Sequence, residues 1–394
     1  MPVPRPRIVV YAKDGANAGA SYYRILQYVR DLSVLSGAVI ATRVLIPDAL
    51  RRARFDLEGQ RSGGIHSIAI RAAYAASTVL RGFWYFICDL SVRPDVVIIS
   101  RSLLPRTFVR PISSMYALML RRAGKVIWDF DDDIVASREI GSREFYLLCG
   151  ASDIIVVTHT ELRRVLPAAA AAKAITLSTT DGDFRGTDFN AVLEDRRATL
   201  KEEFRIVWVA TSASISDLIS VAEALDKAAG QVKASCGKRV VLEVVCNVPL
   251  VYDFVTLHLV NSLWSRETAR EALLKAHLGI MPLLDSQFAR GKGGFKLVQY
   301  LAAGLPAIAS RVGFNAVVVA DGETGYLVSP GDERGWVEAI AEVACHEANW
   351  AKLSYASLLR FRDSFSYEAN LRFWLDAISS ERGAGGIVPK RWGR

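Results

Sequence analysis

Cysteine and histidine are scarce in this sequence of 394 residues, with five of each. The cysteines are Cys88, Cys149, Cys236, Cys246 and Cys345. No CxxC pair occurs, and the histidines do not have the spacing of metal ligands. An odd number of scattered cysteines indicates neither a disulfide framework nor a zinc site. We therefore expect reduced thiols and no structural metal.

Long apolar runs are also missing. The most apolar segment, residues 72–90, is interrupted by Arg81 and Gly82 and falls short of the about 20 residues that span a bilayer. It predicts either a helix buried in a domain or a surface helix that dips into a membrane. Few apolar residues and no cleavage pattern precede Lys13, which favours a first strand over a signal peptide. We expect a cytoplasmic protein that can bind peripherally to the inner membrane face.

Positive charge is concentrated in the first half of the chain. Residues 1–180 hold 24 Lys and Arg against 15 Asp and Glu, a formal charge of +9, whereas the remainder holds 25 against 26 and carries −1. A basic surface attracts phosphate groups in nucleic acid, anionic lipid or a phosphorylated substrate. Charge alone does not choose among these ligands, and a solvated arginine-rich surface explains it equally well.

Short apolar, β-branched segments alternate with helical patterns along the whole chain. Continuous apolar strands separated by helices are typical of parallel sheets covered on both faces. The segments lie at residues 7–11, 38–46, 95–100, 125–130, 153–158, 174–178, 204–210, 239–246, 278–283, 306–310 and 325–328. The pattern predicts an α/β protein of two doubly wound, Rossmann-like domains that face each other across a cleft.

Composition sets the predicted domain boundaries. Residues 184–203 are poor in apolar side chains, which indicates a linker between a first domain at 1–183 and a second at 204–360. A C-terminal helix is expected at 361–382. The glycine-rich, basic residues 383–394 are predicted to form a flexible tail.

The segment ARGKGGFKLVQYLAAGLP places three basic residues and three glycines around the start of a short apolar helix. The glycines are Gly291, Gly293 and Gly294, and the basic residues are Arg290, Lys292 and Lys296. Without side chains, the glycines let backbone N–H groups and the positive helix end approach an anion. The three cations would surround the same point, which suits a diphosphate. A solvated surface turn is the alternative, since the Walker pattern GxxxxGK[ST] is absent.

The series GKGGFKLVQYLAAGLPAIASRVGFNAVVVADGETGYLVSPGDERGWVEAI, residues 291–340, resembles the donor-binding region of family 4 glycosyltransferases, which have the GT-B fold. Further elements of that family are similar to residues 17–25, 126–134, 150–166, 208–214 and 365–378. Nearly the whole chain is covered, and 291–340 is the most specific part. The resemblance implies two Rossmann-like domains and a final helix that packs back on the first.

The resemblance also implies the chemistry. These enzymes transfer a sugar from a nucleotide-diphosphate sugar to an acceptor hydroxyl, usually with retention of anomeric configuration and without a metal or other cofactor. The departing diphosphate gains negative charge, which fixed N–H donors and basic side chains stabilise. Arg290, Lys292 and Lys296 are assigned this catalytic role. The three glycines, Phe295 and Gln299 are assigned to donor binding.

Two features of the family pattern are missing. Many relatives carry two glutamates that align with Gly291 and Gln299; the first is lost, whereas Gln299 can hydrogen-bond a ribose through its amide. The Arg and Lys that follow the first strand of the second domain are absent from residues 210–218, where Ser212 and Ser214 either cap a helix or reach a phosphate. These losses shift the catalytic charge to 290–296, or indicate a weak or inactive enzyme.

In the first domain, the sequence WDFDDD ends a strand that is predicted to open into the cleft. Asp129 and Asp131 are predicted to position the acceptor or to take its hydroxyl proton. A metal-binding DxD site is the alternative, against which the resemblance argues. Arg24 is predicted either to face the donor diphosphate or to be a surface arginine.

The sequence thus predicts a hexosyl- or deoxyhexosyltransferase that meets an anionic membrane surface, or a lipid-linked or saccharide acceptor, in bacterial surface polysaccharide or glycolipid assembly. No nucleic-acid partner is expected. One alternative is a glycosyltransferase of a soluble small molecule. Another is a non-catalytic, nucleotide-sugar-binding partner protein.

Overall fold

The computed structural model describes residues 5–60, 65–106 and 110–380. The chain divides into two compact units. Of the described residues, the first unit contains 5–57, 65–106, 110–180 and 367–380, and the second contains 58–60 and 181–366.

Six parallel strands form the sheet of the first unit. The strands are β1 (Arg7–Asp14), β2 (Val39–Ile46), β3 (Val96–Ser100), β4 (Lys125–Phe130), β5 (Ile154–Val157) and β6 (Ala174–Thr176). Their order is β2-β1-β3-β4-β5-β6. Every residue of β3 and β4 is buried, because helices cover both faces of a parallel sheet.

The helices of this part of the chain connect the strands as crossovers. They are α1 (Gly19–Arg24), α2 (Val29–Ser36), α3 (Asp48–Gln60), α4 (Ile65–Val92), α5 (Arg110–Arg122), α6 (Ser142–Ala151) and α7 (Ala168–Ala171). Short 3-10 helices occur at Leu26–Tyr28 and Thr160–Val165.

A second sheet of six parallel strands builds the second unit. The strands are β7 (Glu203–Val209), β8 (Arg239–Cys246), β9 (His258–Leu263), β10 (Leu278–Met281), β11 (Ala307–Ser310) and β12 (Gly325–Val328), in the order β12-β11-β10-β7-β8-β9. The helices are α8 (Phe189–Thr199), α9 (Ile215–Ile219), α10 (Ala222–Cys236), α11 (Arg266–Lys275), α12 (Gln287–Arg290), α13 (Phe295–Ala302), α14 (Asn315–Val318), α15 (Glu333–Cys345) and α16 (Glu347–Ser364), with a 3-10 helix at Ser212–Ser214. The predicted α/β class of two doubly wound units is confirmed.

Strand β9 was not predicted from the sequence. It lies at the edge of its sheet, and each of its residues is exposed or half-buried. An edge strand is only partly covered by other elements, so it does not need a continuous run of apolar residues. The apolar run that identifies the central strands in the sequence is therefore absent here.

Residues 184–203, predicted as a linker, are part of the second unit instead, and they contain α8. Asp188 caps this helix by accepting hydrogen bonds from the backbone N–H groups of residues 190 and 191. Arg196 is buried and donates at 2.7–3.2 Å to the carbonyl oxygens of Leu273, Leu274, Ala303 and Gly304. Since these carbonyls end α11 and α13, the guanidinium satisfies groups that a helix leaves without partners. The change of unit falls between Thr180 and Asp181.

The C-terminal helix is α17 (Tyr367–Ser379), shorter than the predicted 361–382 because α16 continues to Ser364. It belongs to the first unit. The Asn370 amide donates to the Ser178 carbonyl at 2.7 Å, and the Lys125 ammonium donates to the Ala377 carbonyl at 2.8 Å. The predicted tail at 383–394 lies outside the described residues.

Helix α4 contains the apolar segment 72–90 and has two different faces. Phe86 is fully buried, whereas Leu80 and Trp84 are 68% and 63% exposed. The expectation of a buried helix is therefore wrong for the outer face. Among the described residues, no helix has both the length and the apolar character needed to cross a bilayer.

Candidate functional site

The carboxyl ends of the parallel strands of the second unit lie at one edge of the sheet, where ligands of doubly wound folds bind. Helix α13 follows the loop after β10 and begins near the ends of β7 and β8. We call the group formed by Lys292, Lys296 and the N-terminus of α13 the anion site. Its position follows from the contacts of the two lysines.

The turn into α13 depends on Gly294. Its φ of 65° is left-handed, a conformation that residues with a Cβ rarely adopt. A Cβ there would also lie 3.1 Å from the ring of Phe314. The glycine therefore lets the chain start α13 directly after the basic loop.

The other predicted donor residues take different places. The N–H of Gly291 donates to the carbonyls of Gln287 and Phe288 at the end of α12. Gly293 is buried in the loop, and Phe295 is the half-buried first residue of α13.

Lys292 is held by a carboxylate that sequence reasoning missed. Its Nζ lies 3.0 Å from Oδ2 of Asp217 and 5.5 Å from the ring centre of Phe288. Asp217 lies in α9, and its other oxygen accepts the N–H of Leu284 at 3.2 Å. No sequence signal pairs these residues, because 75 positions separate Asp217 from Lys292.

Lys296 lies beside the ends of β7 and β8. Its Nζ is 5.8 Å from the ring centre of Trp208 in β7. Burial raises the pKa of the Cys246 thiol, and the charge of Lys296 acts in the opposite direction. The lysine is thus close to the last residue of β8 as well.

Arg290, the third predicted cation, has an acidic partner of its own. Its guanidinium binds both oxygens of Asp285, at 2.7 and 2.8 Å. The side chain is 66% exposed. The three predicted cations therefore contact three different partners, which are Asp285, Asp217 and Trp208.

Ser214 is the N-cap residue of α9, as the capping interpretation expects, but neither Ser212 nor Ser214 makes a side-chain capping hydrogen bond. The N–H of Ser212 donates to Oδ1 of Asn247 at 2.8 Å, and Nδ2 of Asn247 donates to the Ser212 hydroxyl at 3.3 Å. Asn247 is buried directly after β8. It holds the turn after β7 in place, and its position after a buried strand is the signal that could have revealed it.

Gln299 binds Asp181. Its Nε2 donates to Oδ2 at 2.8 Å, and the other oxygen of Asp181 accepts the N–H of Asp183. Burial, and then the charge of Asp183, raise the pKa of Asp181 to about 7, against the hydrogen bond from Gln299. The amide predicted to bind a ribose is therefore committed to a buried carboxyl group.

In the first unit, Arg24 forms a buried ion pair with Asp129. Nε of Arg24 lies 3.1 and 3.2 Å from the two carboxylate oxygens, and Nη1 donates to the carbonyl of Leu177 at 2.5 Å. Burial acts to lower the pKa of Arg24, but the interactions with Asp129 outweigh it and the pKa is raised. Arg24 is 1% exposed, so it is not the predicted surface arginine. Both side chains are used inside the first unit.

Asp131 follows β4 and binds Arg101, a residue that sequence reasoning missed. Arg101 follows β3, has a left-handed φ of 58° and also pairs with Glu139. Burial raises the pKa of Asp131 to about 6, although the charge of Arg101 acts in the opposite direction. A non-glycine residue with positive φ marks a strained position, and such positions cluster at functional sites. Within the described ranges, no group of three His, Cys, Asp or Glu side chains is arranged to hold a metal ion.

Comparison with known proteins gives a family match for part of the chain. Residues 231–346 match the family model described as glycosyl transferases group 1. A D-inositol 3-phosphate glycosyltransferase of Nocardioides sp. (strain ATCC BAA-499 / JS614) is 34% identical over 89 residues. That match covers 23% of this chain and 19%, about a fifth, of the relative.

The fold is similar to solved structures along nearly its whole length. Anabaena Alr3699/HepE, in complex with UDP and glucose, has a TM-score of 0.61 at 12% identity, over 95% of this chain and 99% of that chain. The sucrose-phosphate synthase of Thermosynechococcus elongatus has a TM-score of 0.56 at 15% identity, over 93% and 97%. The resemblance stated from the sequence is thereby confirmed. The chain has the GT-B fold, and residues 231–346 of its second unit match the model of the glycosyl transferases group 1 family.

Proposed function

We propose that the protein is a glycosyltransferase that moves a sugar from a nucleotide-diphosphate sugar to an acceptor hydroxyl. The observation that carries this proposal is the anion site, which joins Lys292, Lys296 and the N-terminus of α13 inside the group 1 segment. A helix N-terminus and two ammonium groups stabilise a leaving diphosphate. The UDP and glucose named for the Anabaena structure support a donor of this class.

The two lysines take the catalytic role in the second unit, and they stabilise the leaving group in place of a metal. Asp131 is the proposed base for the acceptor hydroxyl in the first unit, because a pKa of about 6 suits a group that accepts protons near neutral pH. Arg101 holds its carboxylate in place. Retention of the anomeric configuration is proposed from the resemblance to family 4.

The acceptor is proposed to be lipid-linked and presented at an anionic membrane on the cytoplasmic side, as in bacterial surface polysaccharide assembly. Leu80, Phe83, Trp84 and Ile87 are exposed on α4 at spacings that place them on one helix face. An uncharged helix face bordered by basic side chains is typical of interfacial helices.

Positive charge lies beside the N-terminal part of this helix. Arg52 and Arg54 of the neighbouring α3 are exposed, and the Arg54 guanidinium lies 4.6 Å from the ring centre of Tyr74 in α4. The formal charge of +9 on residues 1–180 supports the same partner, since cationic side chains are attracted to anionic lipid.

A non-catalytic, nucleotide-sugar-binding protein is the second candidate. Its support is Gly291, which has no side chain at the place where relatives carry a glutamate, and Gln299, whose Nε2 is bound to Asp181. Both candidates require the anion site. Only the enzyme releases nucleoside diphosphate from its donor.

A thermal-shift screen with nucleoside diphosphates and their sugars tests the proposal, since a ligand of the folded state raises its stability. The wild type is compared with Lys292→Ala/Lys296→Ala and with Arg290→Ala as the matched control. We expect a selective shift that the double variant loses and the control keeps. A shift that survives in the double variant, or none with any nucleotide, contradicts the proposal. Release of nucleoside diphosphate from the donor that this screen identifies then distinguishes an enzyme from a non-catalytic binding protein.

A further inference from the structure

The carboxylate of Asp217 joins three segments around the anion site. It lies in α9 and is 8% exposed. One oxygen binds the Lys292 ammonium at 3.0 Å and the other accepts the N–H of Leu284 at 3.2 Å. It therefore fixes both the loop after β10 and the lysine two residues before Gly294.

The Asp217–Lys292 pair differs from the neighbouring Arg290–Asp285 pair in burial. The side chains of Asp217 and Lys292 are 12% and 15% exposed, whereas those of Asp285 and Arg290 are 40% and 66% exposed. Water screens the exposed pair, so it adds little. The shielded carboxylate acts on nearby charges more strongly, because the effective dielectric constant is lower there.

We propose that Asp217 is a positioning residue that sets where the Lys292 charge lies and limits how tightly the anion site holds a diphosphate. This inference rests on the proposed function. A carboxylate in contact with Lys292 repels an anion that approaches the same ammonium. Asp217 forms no bond to the donor and transfers no proton. Its effect is to let the nucleoside diphosphate product leave.

The test is the affinity for inorganic pyrophosphate, a probe that does not depend on the nucleotide base, measured by calorimetry at low salt. Asp217→Asn keeps an oxygen for the N–H of Leu284 and removes the negative charge. We expect it to bind pyrophosphate about tenfold more tightly, which corresponds to about 1.4 kcal/mol. Asp217→Glu keeps the charge and should restore the wild-type affinity. The matched control Asp285→Asn should change the affinity less than about twofold.

A purely structural role gives the opposite direction, because a loosened loop weakens binding. Asp217→Ser, whose hydroxyl can also accept the N–H of Leu284, repeats the charge removal if the Asn variant does not fold. Affinity that is unchanged or weaker in the folded variants overturns the inference alone. A similar gain in Asp285→Asn overturns it too, since general charge removal would then explain the effect. A wild type that does not bind pyrophosphate contradicts the anion site, and with it the proposed function.

Discussion

Gln299 and Asp181 are joined inside the second unit by a hydrogen bond of 2.8 Å from Nε2 to Oδ2, with both side chains buried. The bond links α13, which carries the anion site, to the residue at which the second unit begins. Because burial already disfavours the charge of Asp181, a neutral amide at position 299 suits this partner better than a second carboxylate.

This pairing predicts a pH-dependent cost for Gln299→Glu, which restores the residue that relatives carry. Two carboxyl groups in contact share one proton, so their folded-state pKa values rise above the unfolded ones. Stability is then lost as the pH rises from the unfolded pKa of a glutamate, about 4.3, towards the raised folded values. We expect the variant to be close to the wild type at pH 4 and about 2–3 kcal/mol less stable at pH 8 in urea unfolding. Equal destabilisation at both pH values contradicts the shared proton. The matched control is the double variant Gln299→Glu/Asp181→Asn, which has a single carboxyl group at this position.

Glu144 predicts a second pH dependence, in the first unit. Burial raises its pKa to about 7, although the N–H groups of Leu103 and Leu104 donate to it and act in the opposite direction. A carboxyl group whose folded pKa is raised destabilises the protein as the pH rises from about 4.5 to about 7. Glu144→Gln keeps an acceptor for Leu103 and stays neutral. We expect it to reduce the loss of unfolding free energy between pH 5 and pH 8 by about 3 kcal/mol. An identical pH profile in the two proteins would rule this out.

The alternation of apolar strands was sufficient to predict the sheets from sequence, because each central strand is buried on both faces. Arg196 shows where this approach fails. Its surroundings in sequence are polar, and the backbone carbonyls that bind its guanidinium come from residues 273–274 and 303–304. The sequence does not reveal a buried arginine whose partners are main-chain atoms, so the packed helix α8 was predicted to be a linker.

The same limit applies to the candidate site. Local rules were enough to single out Gly294 as a residue whose backbone needs freedom, and its left-handed φ is one that glycine adopts readily. The pairing of each cation with its carboxylate was not predicted, because Asp217 and Asp129 lie 75 and 105 positions from Lys292 and Arg24. A basic residue near a glycine loop identifies a possible anion site, but its own counter-charge is set by tertiary structure.

The Arg24–Asp129 pair predicts loss of stability rather than loss of ligand when it is broken. Arg24→Ala leaves a buried carboxylate without its partner, which costs about 3–5 kcal/mol. Arg24→Ala with Asp129→Asn removes the stranded charge and should recover part of this cost. We expect both variants to bind pyrophosphate with wild-type affinity at temperatures where they are folded. Urea unfolding and calorimetry measure the two quantities. A fully stable Arg24→Ala that no longer binds pyrophosphate would show that the arginine serves the ligand.

The exposed face of α4 predicts binding to anionic vesicles. Leu80→Ser/Trp84→Ser removes two large apolar side chains from that face. The matched control is Val251→Ser/Val255→Ser in the second unit, where the two valines are 85% and 92% exposed. We expect the wild type to float with phosphatidylglycerol vesicles at low salt and much less with phosphatidylcholine, because its positive charge attracts anionic lipid. Each side chain buried in the interface contributes up to about 1.5–3 kcal/mol. The α4 variant should therefore bind at least tenfold more weakly, and the control should match the wild type. An equal loss of vesicle binding in both variants would show that exposed apolar side chains in general cause the binding. A wild type that does not float would contradict the membrane part of the proposed function and leave the anion site unaffected.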